Sequence, residues 1–263
     1  MSISAQNTST NPTDEVRPID VLWLYPRDMN IYGDTGNVLT VERRLKLQGY
    51  EPRIHAYNQN DQWPEHIDMV LGGGGQDTGQ KKIGEDFQRR ADDLRKLAAE
   101  GVPMLVICGL YQLFGKYFET QDGTKIEGIS ILDAYTVGRD VRMIGNLTET
   151  SDDFGQIVGY ENHSGQTFLG KGAQPLGTVA GEGMGNNGQD HTEGARVNNV
   201  IGTYMHGSLC PKNPAIADFL IRKAAEHRYG TYEVRQTPEM AAELARIDAD
   251  AHNAREAAMQ RPR

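Results

Sequence analysis

The first half of the chain repeats one pattern, and that pattern limits the fold more than any other feature of the sequence. A short buried-looking run is followed by a turn and then by a segment of helical periodicity. Residues 19–25 (IDVLWLY) stop at Pro26, residues 51–57 read as a second strand, and residues 67–71 run straight into Gly72-Gly73-Gly74-Gly75. Residues 102–107 form a fourth apolar run, with Cys108 at its C-terminal end. Between them, Val38, Val41 and Leu45 mark a helix over 37–48 that closes at Gly49, and a second helix over 84–100 closes at Gly101. Units recur roughly every 30 to 40 residues, the spacing of parallel crossovers. The expectation is an α/β fold, an open and mostly parallel sheet with helices on both faces.

Beyond about residue 125 the texture becomes strand-rich. Segments 129–132, 155–160, 167–169, 177–180 and 200–205 read as short strands split by Gly-rich turns, a meander extending one edge of the sheet. Ile216, Phe219, Leu220 and Ile221 then line an amphipathic helix over 214–227, and Thr237-Pro238 opens a terminal helix that frays before Pro262. Residues 1–17 are polar and read as a disordered tail, leaving one domain at 18–232 and a helical tail at 233–263.

Charge and cysteine usage remove several function classes. A net charge of −9 argues against nucleic acid as the main partner. Arg43-Arg44 and Lys81-Lys82 read as solvated helix faces. No apolar stretch approaches the roughly 20 residues of a spanning helix, and residues 1–16 carry no Lys or Arg and no apolar run. Two cysteines, Cys108 and Cys210, with no export signal fit a reducing cytoplasm.

In open α/β sheets ligands bind at the carboxyl ends of the strands. The glycine run and Cys108 both fall there. The run lacks the GK-[ST] of a phosphate loop, and the dinucleotide fingerprint matched by Gly183, Gly185 and Gly188 has no helix after it. Gly74 and Gly75 instead offer backbone N–H groups to a developing oxyanion, and Gly109 offers another beside the Cys108 sulfur. A thiol between a strand and a helix suits a nucleophile. A tight turn and a core cysteine explain the same residues, so the local pattern leaves both readings open. His206 and His163 are the rival bases, and no histidine shows metal-ligand spacing.

Longer blocks carry a resemblance. They are Leu24-Tyr25-Pro26 through Asn30-Ile31-Tyr32-Gly33-Asp34-Thr35-Gly36-Asn37, Gly72–Gly75 with Gln76-Asp77 and Gln80, and Cys108-Gly109 with Gln112. Arg142-Met143-Ile144-Gly145-Asn146, Gly159-Tyr160-Glu161-Asn162-His163-Ser164-Gly165, Tyr204-Met205-His206-Gly207 and Pro211-Lys212-Asn213-Pro214 complete the set. The chain resembles class I (triad) glutamine amidotransferases of the cobyric-acid-synthase-like branch, and within it the glutaminase subunits of lipid II isoglutaminyl synthases.

The resemblance implies Cys108 as nucleophile, His206 as its base and Arg142 as the holder of the glutamine α-carboxylate, with Gly74, Gly75, Gly109 and Gln112 around the substrate. The blocks at 30–37 and 159–165 read as pocket or interface loops. Two departures stand out: Val106 and Leu110 replace the glycines that usually flank the nucleophile, and Ser208 occupies the position of the usual acid. The third triad member is therefore expected from a partner in trans, with Glu161 as the alternative in this chain. No cofactor is expected here; ATP and magnesium belong to a Mur-ligase-like partner in a heterodimer, which would amidate D-glutamate of lipid II with the ammonia released. A glutaminase serving a corrinoid synthetase and a catalytically silent binding module are the alternatives.

Overall fold

The computed structural model describes residues 16–261 except Glu182 and Gly207. The chain runs β1 (Pro18–Leu24), α1 (Thr35–Leu47), β2 (Glu51–Tyr57), β3 (Met69–Gly72), α2 (Asp77–Arg89), α3 (Ala91–Ala99), β4 (Met104–Ile107) and α4 (Gly109–Phe114). The second half contains β5 (Tyr117–Glu119), β6 (Lys125–Glu127), β7 (Ala134–Ser151), β8 (Gly155–Leu169), β9 (Gly177–Ala180), β10 (Thr192–Glu193), β11 (Ala195–Val197) and β12 (Val200–Thr203). Helices α5 (Leu209–Lys212), α6 (Pro214–Tyr229) and α7 (Pro238–Met259) follow.

The first sheet has the order β11-β12-β4-β3-β1-β2, parallel throughout except for the edge pair β11–β12. Strands β3, β4 and β12 are buried at every residue, as expected of parallel strands covered on both faces. From β1 the chain crosses outward to β2, whereas from β3 it crosses the other way to β4. Right-handed crossovers therefore place α1 on one face and α2–α3 on the other. Leu24 pairs with Gly72, Gly72 with Val106, and Thr203 with Ile107. This register brings the carboxyl ends of four strands into one row, and the segments that follow them build the site.

The second half departs from the expected meander. β7 and β8 form one long antiparallel hairpin, flanked along β7 by β5–β6 and by β9–β10, so these strands make a second sheet. Only β11 and β12 join the first sheet from this half. Residues 155–160 and 167–169 are two ends of the single strand β8, and the 159–165 block is strand, not loop. Gly159 and Gly165 mislead as turn signals because their role is close approach. A methyl added at Gly159 would lie 2.6 Å from Met205 Cβ, and one at Gly165 would strike the Gln112 amide. Segment 129–132 is no strand, although Ile129 and Leu132 are buried. The expected helix over 84–100 is two helices, α2 and α3, broken at Arg90, whose guanidinium lies over Trp63.

Arg17, Arg44 and the terminal helix are more firmly held than expected. The tail assigned to 1–17 lies outside the described residues up to residue 15, but Arg17 is buried, donating to the carbonyls of Glu233 and Gly49. Arg44 is not on a solvated face. It is 2% exposed and pairs with Asp218 on α6 and Asp248 on α7, both at 2.6 Å. The terminal helix is present, with Thr237 accepting from the Met240 N–H; Pro262 lies outside the described residues. Among the described residues no helix is long and apolar enough to cross a membrane.

Candidate active site

Cys108 follows the last residue of β4 and sits at φ 48°, ψ −102°. A left-handed conformation at a residue with a Cβ costs on the order of 1–3 kcal/mol and persists only where the surroundings impose it. Here its N–H donates to Thr203 O at 2.8 Å, and its carbonyl accepts from Gln112 N at 2.9 Å. The thiol makes no capping bond to α4, so the sulfur faces the pocket. The crowding that flanking glycines would relieve is relieved from the next strand. A methyl at Gly72 would strike the Leu110 side chain, so a larger residue is tolerated at 110 because its neighbour is glycine.

His206 lies three residues past β12, its N–H donating to Tyr160 O at 2.7 Å. Its ring is fully buried. A methyl at Gly74 would lie 2.5 Å from His206 Cε1 and 3.2 Å from Cys108 Cβ, so imidazole and thiol meet across the space that this glycine leaves. On the far side of the ring, Nδ1 is 3.2 Å from Asp34 Oδ2 and 3.3 Å from Oδ1. Burial disfavours the imidazolium, but the charge of the Cys108 sulfur and the Asp34 carboxylate outweigh it and push the His206 pKa up to about 10.

Asp34 is the residue beside His206 that the sequence did not reveal. It immediately precedes α1, where an aspartate ordinarily caps its helix, yet it makes no capping bond. Its carboxylate turns outward, accepting the Gly74 N–H at 2.7 Å and facing His206. A carboxylate from within the chain thus stands on the Nδ1 side of His206, where the sequence offered only Glu161 or an acid in trans. Glu161 is placed elsewhere, accepting the N–H groups of Met184 and Gly185 and lying 3.8 Å from His163 Nε2. Ser208, at the position of the usual acid, directs its hydroxyl at Gly33 O against Gly36.

A pocket of about 330 Å³ opens over Cys108, lined also by Tyr32, Gly75, Gln112, Arg142 and His163. Arg142 reaches it from the register shift of β7 between Gly138 and Met143. Its Nε donates to Asn162 Oδ1 at 2.7 Å and its Nη2 to the Tyr32 hydroxyl at 3.3 Å. Gln112 lines the pocket with its amide held by Gln80 and the Tyr204 hydroxyl. Gly74 is corrected as a substrate contact, since its N–H is spent on Asp34. Gly75 and Gly109 fit the oxyanion role better. Their N–H groups donate no hydrogen bond among the described residues, and a methyl at Gly109 would lie 2.9 Å from Gly75 N. His163, the rival base, stacks on Tyr204 at 3.5 Å with Nδ1 donating to Gly165 O, and burial lowers its pKa. Cys210 is sealed in the core, where burial pushes its pKa up to about 12. Among the described residues no cluster of three His, Cys, Asp or Glu could hold a metal ion.

Residues 20–214 match the family model of the CobB/CobQ-like glutamine amidotransferase domain. The chain belongs to that family. It is 37% identical over 209 residues to the lipid II isoglutaminyl synthase (glutamine-hydrolyzing) subunit GatD of Staphylococcus aureus, covering 79% of this chain and 85% of that one. The corresponding subunit of Streptococcus pneumoniae is 32% identical over 242 residues, 89% of this chain and 93% of that one. Cobyric acid synthase of Listeria innocua is 28% identical over 161 residues, 53% of this chain but 31% of the synthase. Among solved structures, a glutamine amidotransferase of Thermotoga maritima superposes with a TM-score of 0.50 at 12% identity, over 91% of this chain and 93% of that one. The α/β fold read from the sequence is thus the family's own, and the chain is a glutamine-hydrolysing amidotransferase with a cysteine nucleophile.

Proposed function

We propose that this chain is the glutaminase subunit of a lipid II isoglutaminyl synthase, hydrolysing L-glutamine and passing ammonia to a Mur-ligase-like partner in a heterodimer. The observation that carries the chemistry is the row Cys108–His206–Asp34 at the carboxyl edge of the sheet, with Arg142 across the pocket. The Cys108 sulfur attacks the side-chain amide carbon of glutamine. The resulting oxyanion lies toward the N–H groups of Gly75 and Gly109, donors already in place before charge develops. His206, oriented by Asp34, gives its proton to the departing ammonia and leaves a γ-glutamyl thioester. It then takes a proton from the water that releases glutamate and restores the thiol. The Arg142 guanidinium binds the α-carboxylate as a planar fork.

Length as well as identity favours lipid II as the acceptor. The relatives whose names give lipid II isoglutaminyl synthase align over 85% and 93% of their own chains, against 31% of the cobyric acid synthase. ATP and magnesium belong on the partner, which would activate the D-glutamate α-carboxylate for ammonia in the cytoplasm. Residues 18–232 form the amidotransferase domain, and 233–263 an appendage to it that is helical over Pro238–Met259. Cys108→Ala should abolish glutamate release from glutamine while Cys210→Ala retains it, and the reconstituted complex should amidate lipid II only with the unsubstituted thiol. Turnover retained in Cys108→Ala would falsify the nucleophile. Glutaminase activity without amidation of lipid II would overturn the acceptor.

A further inference from the structure

Tyr32 is held where both its ring and its hydroxyl meet the site. It adopts φ 54° and is followed by Gly33 at φ 83°, so two successive residues are left-handed. For a tyrosine this conformation is unfavourable and calls for a compensating contact. The ring stands edge-on to His206, with centroids 4.9 Å apart and planes at 72°. Tyr32 is 42% exposed whereas His206 is 0% exposed, so the phenol ring is a layer between the imidazole and solvent. At its other end the hydroxyl accepts from Arg142 Nη2 at 3.3 Å while Asn162 takes Nε. Those two contacts leave Nη1 as the terminal nitrogen that neither uses.

We infer that Tyr32 is a positioning residue for the proposed glutaminase reaction. Its ring roofs His206 and its hydroxyl sets the angle at which Arg142 meets the substrate carboxylate. This rests on the roles given above to His206 and Arg142. Excluding water strengthens the attraction between the sulfur and the imidazolium. Among the described residues the titratable groups that face His206 are Cys108, Asp34, His163 and the Tyr32 phenol itself. The two functions separate by substitution. Tyr32→Phe keeps the ring and loses the Arg142 contact; Tyr32→Ala loses both.

Alkylation of Cys108 by iodoacetamide, followed by peptide mapping, reads the roof without turnover. The ratio of rates at neutral and strongly alkaline pH cancels any change in access. Tyr32→Ala should lower that ratio at least severalfold, and Tyr32→Phe should restore it. For the hydroxyl, the glutamine concentration that half-protects Cys108 from alkylation should rise about three- to tenfold in Tyr32→Phe, and KM with it, at unchanged kcat. A wild-type ratio in Tyr32→Ala overturns the roof, and wild-type protection in Tyr32→Phe overturns the link to Arg142. Because alkylation needs no hydrolysis, a complex that released no glutamate would count against the proposed function and not against these results.

Discussion

Asp34→Asn tests the assembled triad with the smallest change in shape. Asp34 Oδ2 accepts the Gly74 N–H at 2.7 Å, and both carboxylate oxygens lie within 3.3 Å of His206 Nδ1. In the variant, Gly74 still requires an acceptor, so the amide oxygen stays at the Oδ2 position and the NH₂ group takes the Oδ1 position. That group donates into Nδ1 and forces the imidazole proton onto Nε2, the nitrogen that must accept from the thiol. The charge is lost as well. At 3.2 Å and an effective dielectric of about 20, attraction between unit charges is roughly 5 kcal/mol. Each ~1.4 kcal/mol is tenfold in rate, so the ceiling lies between about 10³ and 10⁴ in kcat. We expect a loss of about 10³, with KM nearly unchanged because Asp34 is not among the residues lining the pocket. The assay is glutamate release across a glutamine series, with a thermal unfolding midpoint to show that the variant is folded. A kcat within tenfold of wild type at an unchanged midpoint would refute the assignment of Asp34.

Arg142→Ala should raise KM for glutamine by about 10- to 100-fold, the worth of a charge-assisted contact, while kcat stays within a fewfold; a collapse of kcat at constant KM would give Arg142 another role. The second sheet holds a buried carboxyl pair, Glu149 and Glu193, both fully buried, with Glu193 accepting from Thr203 Oγ1 and the Tyr204 N–H. Burial pushes Glu193 from 4.5 up to about 7 and Glu149 well above its ordinary value. The native state therefore binds more protons than the unfolded chain. The associated stability is complete below about pH 4.5 and falls as pH rises through about 7. Urea midpoints should decline over that window, and Glu149→Gln should flatten the decline; parallel curves for the two proteins would contradict the pairing.

Parallel architecture was legible because it is written locally. Strands buried on both faces must be apolar at nearly every position, as residues 69–72 and 104–107 are, and each must be followed by a turn and an amphipathic helix. The place of Cys108 and His206 at one edge of the sheet was legible for the same reason, since residues just past buried strands collect there, while their roles came through the resemblance. Arg142 carried no local signal and entered through resemblance alone. The second sheet was hidden because Gly159 and Gly165 look like turns, whereas they are strand residues against which Met205 and Gln112 press. Asp34 was hidden more deeply. Directly before α1, an aspartate looks like a helix cap, and no pattern within a few residues says that its carboxylate turns away from its own helix. Its partner lies 172 residues along the chain, reached through the register that sets the ends of β1, β3, β4 and β12 side by side. Periodicity and turn chemistry act over a few residues and determine which strands exist. Which side chains meet at their ends depends on the order and register of strands far apart in sequence, and that only the tertiary structure decides.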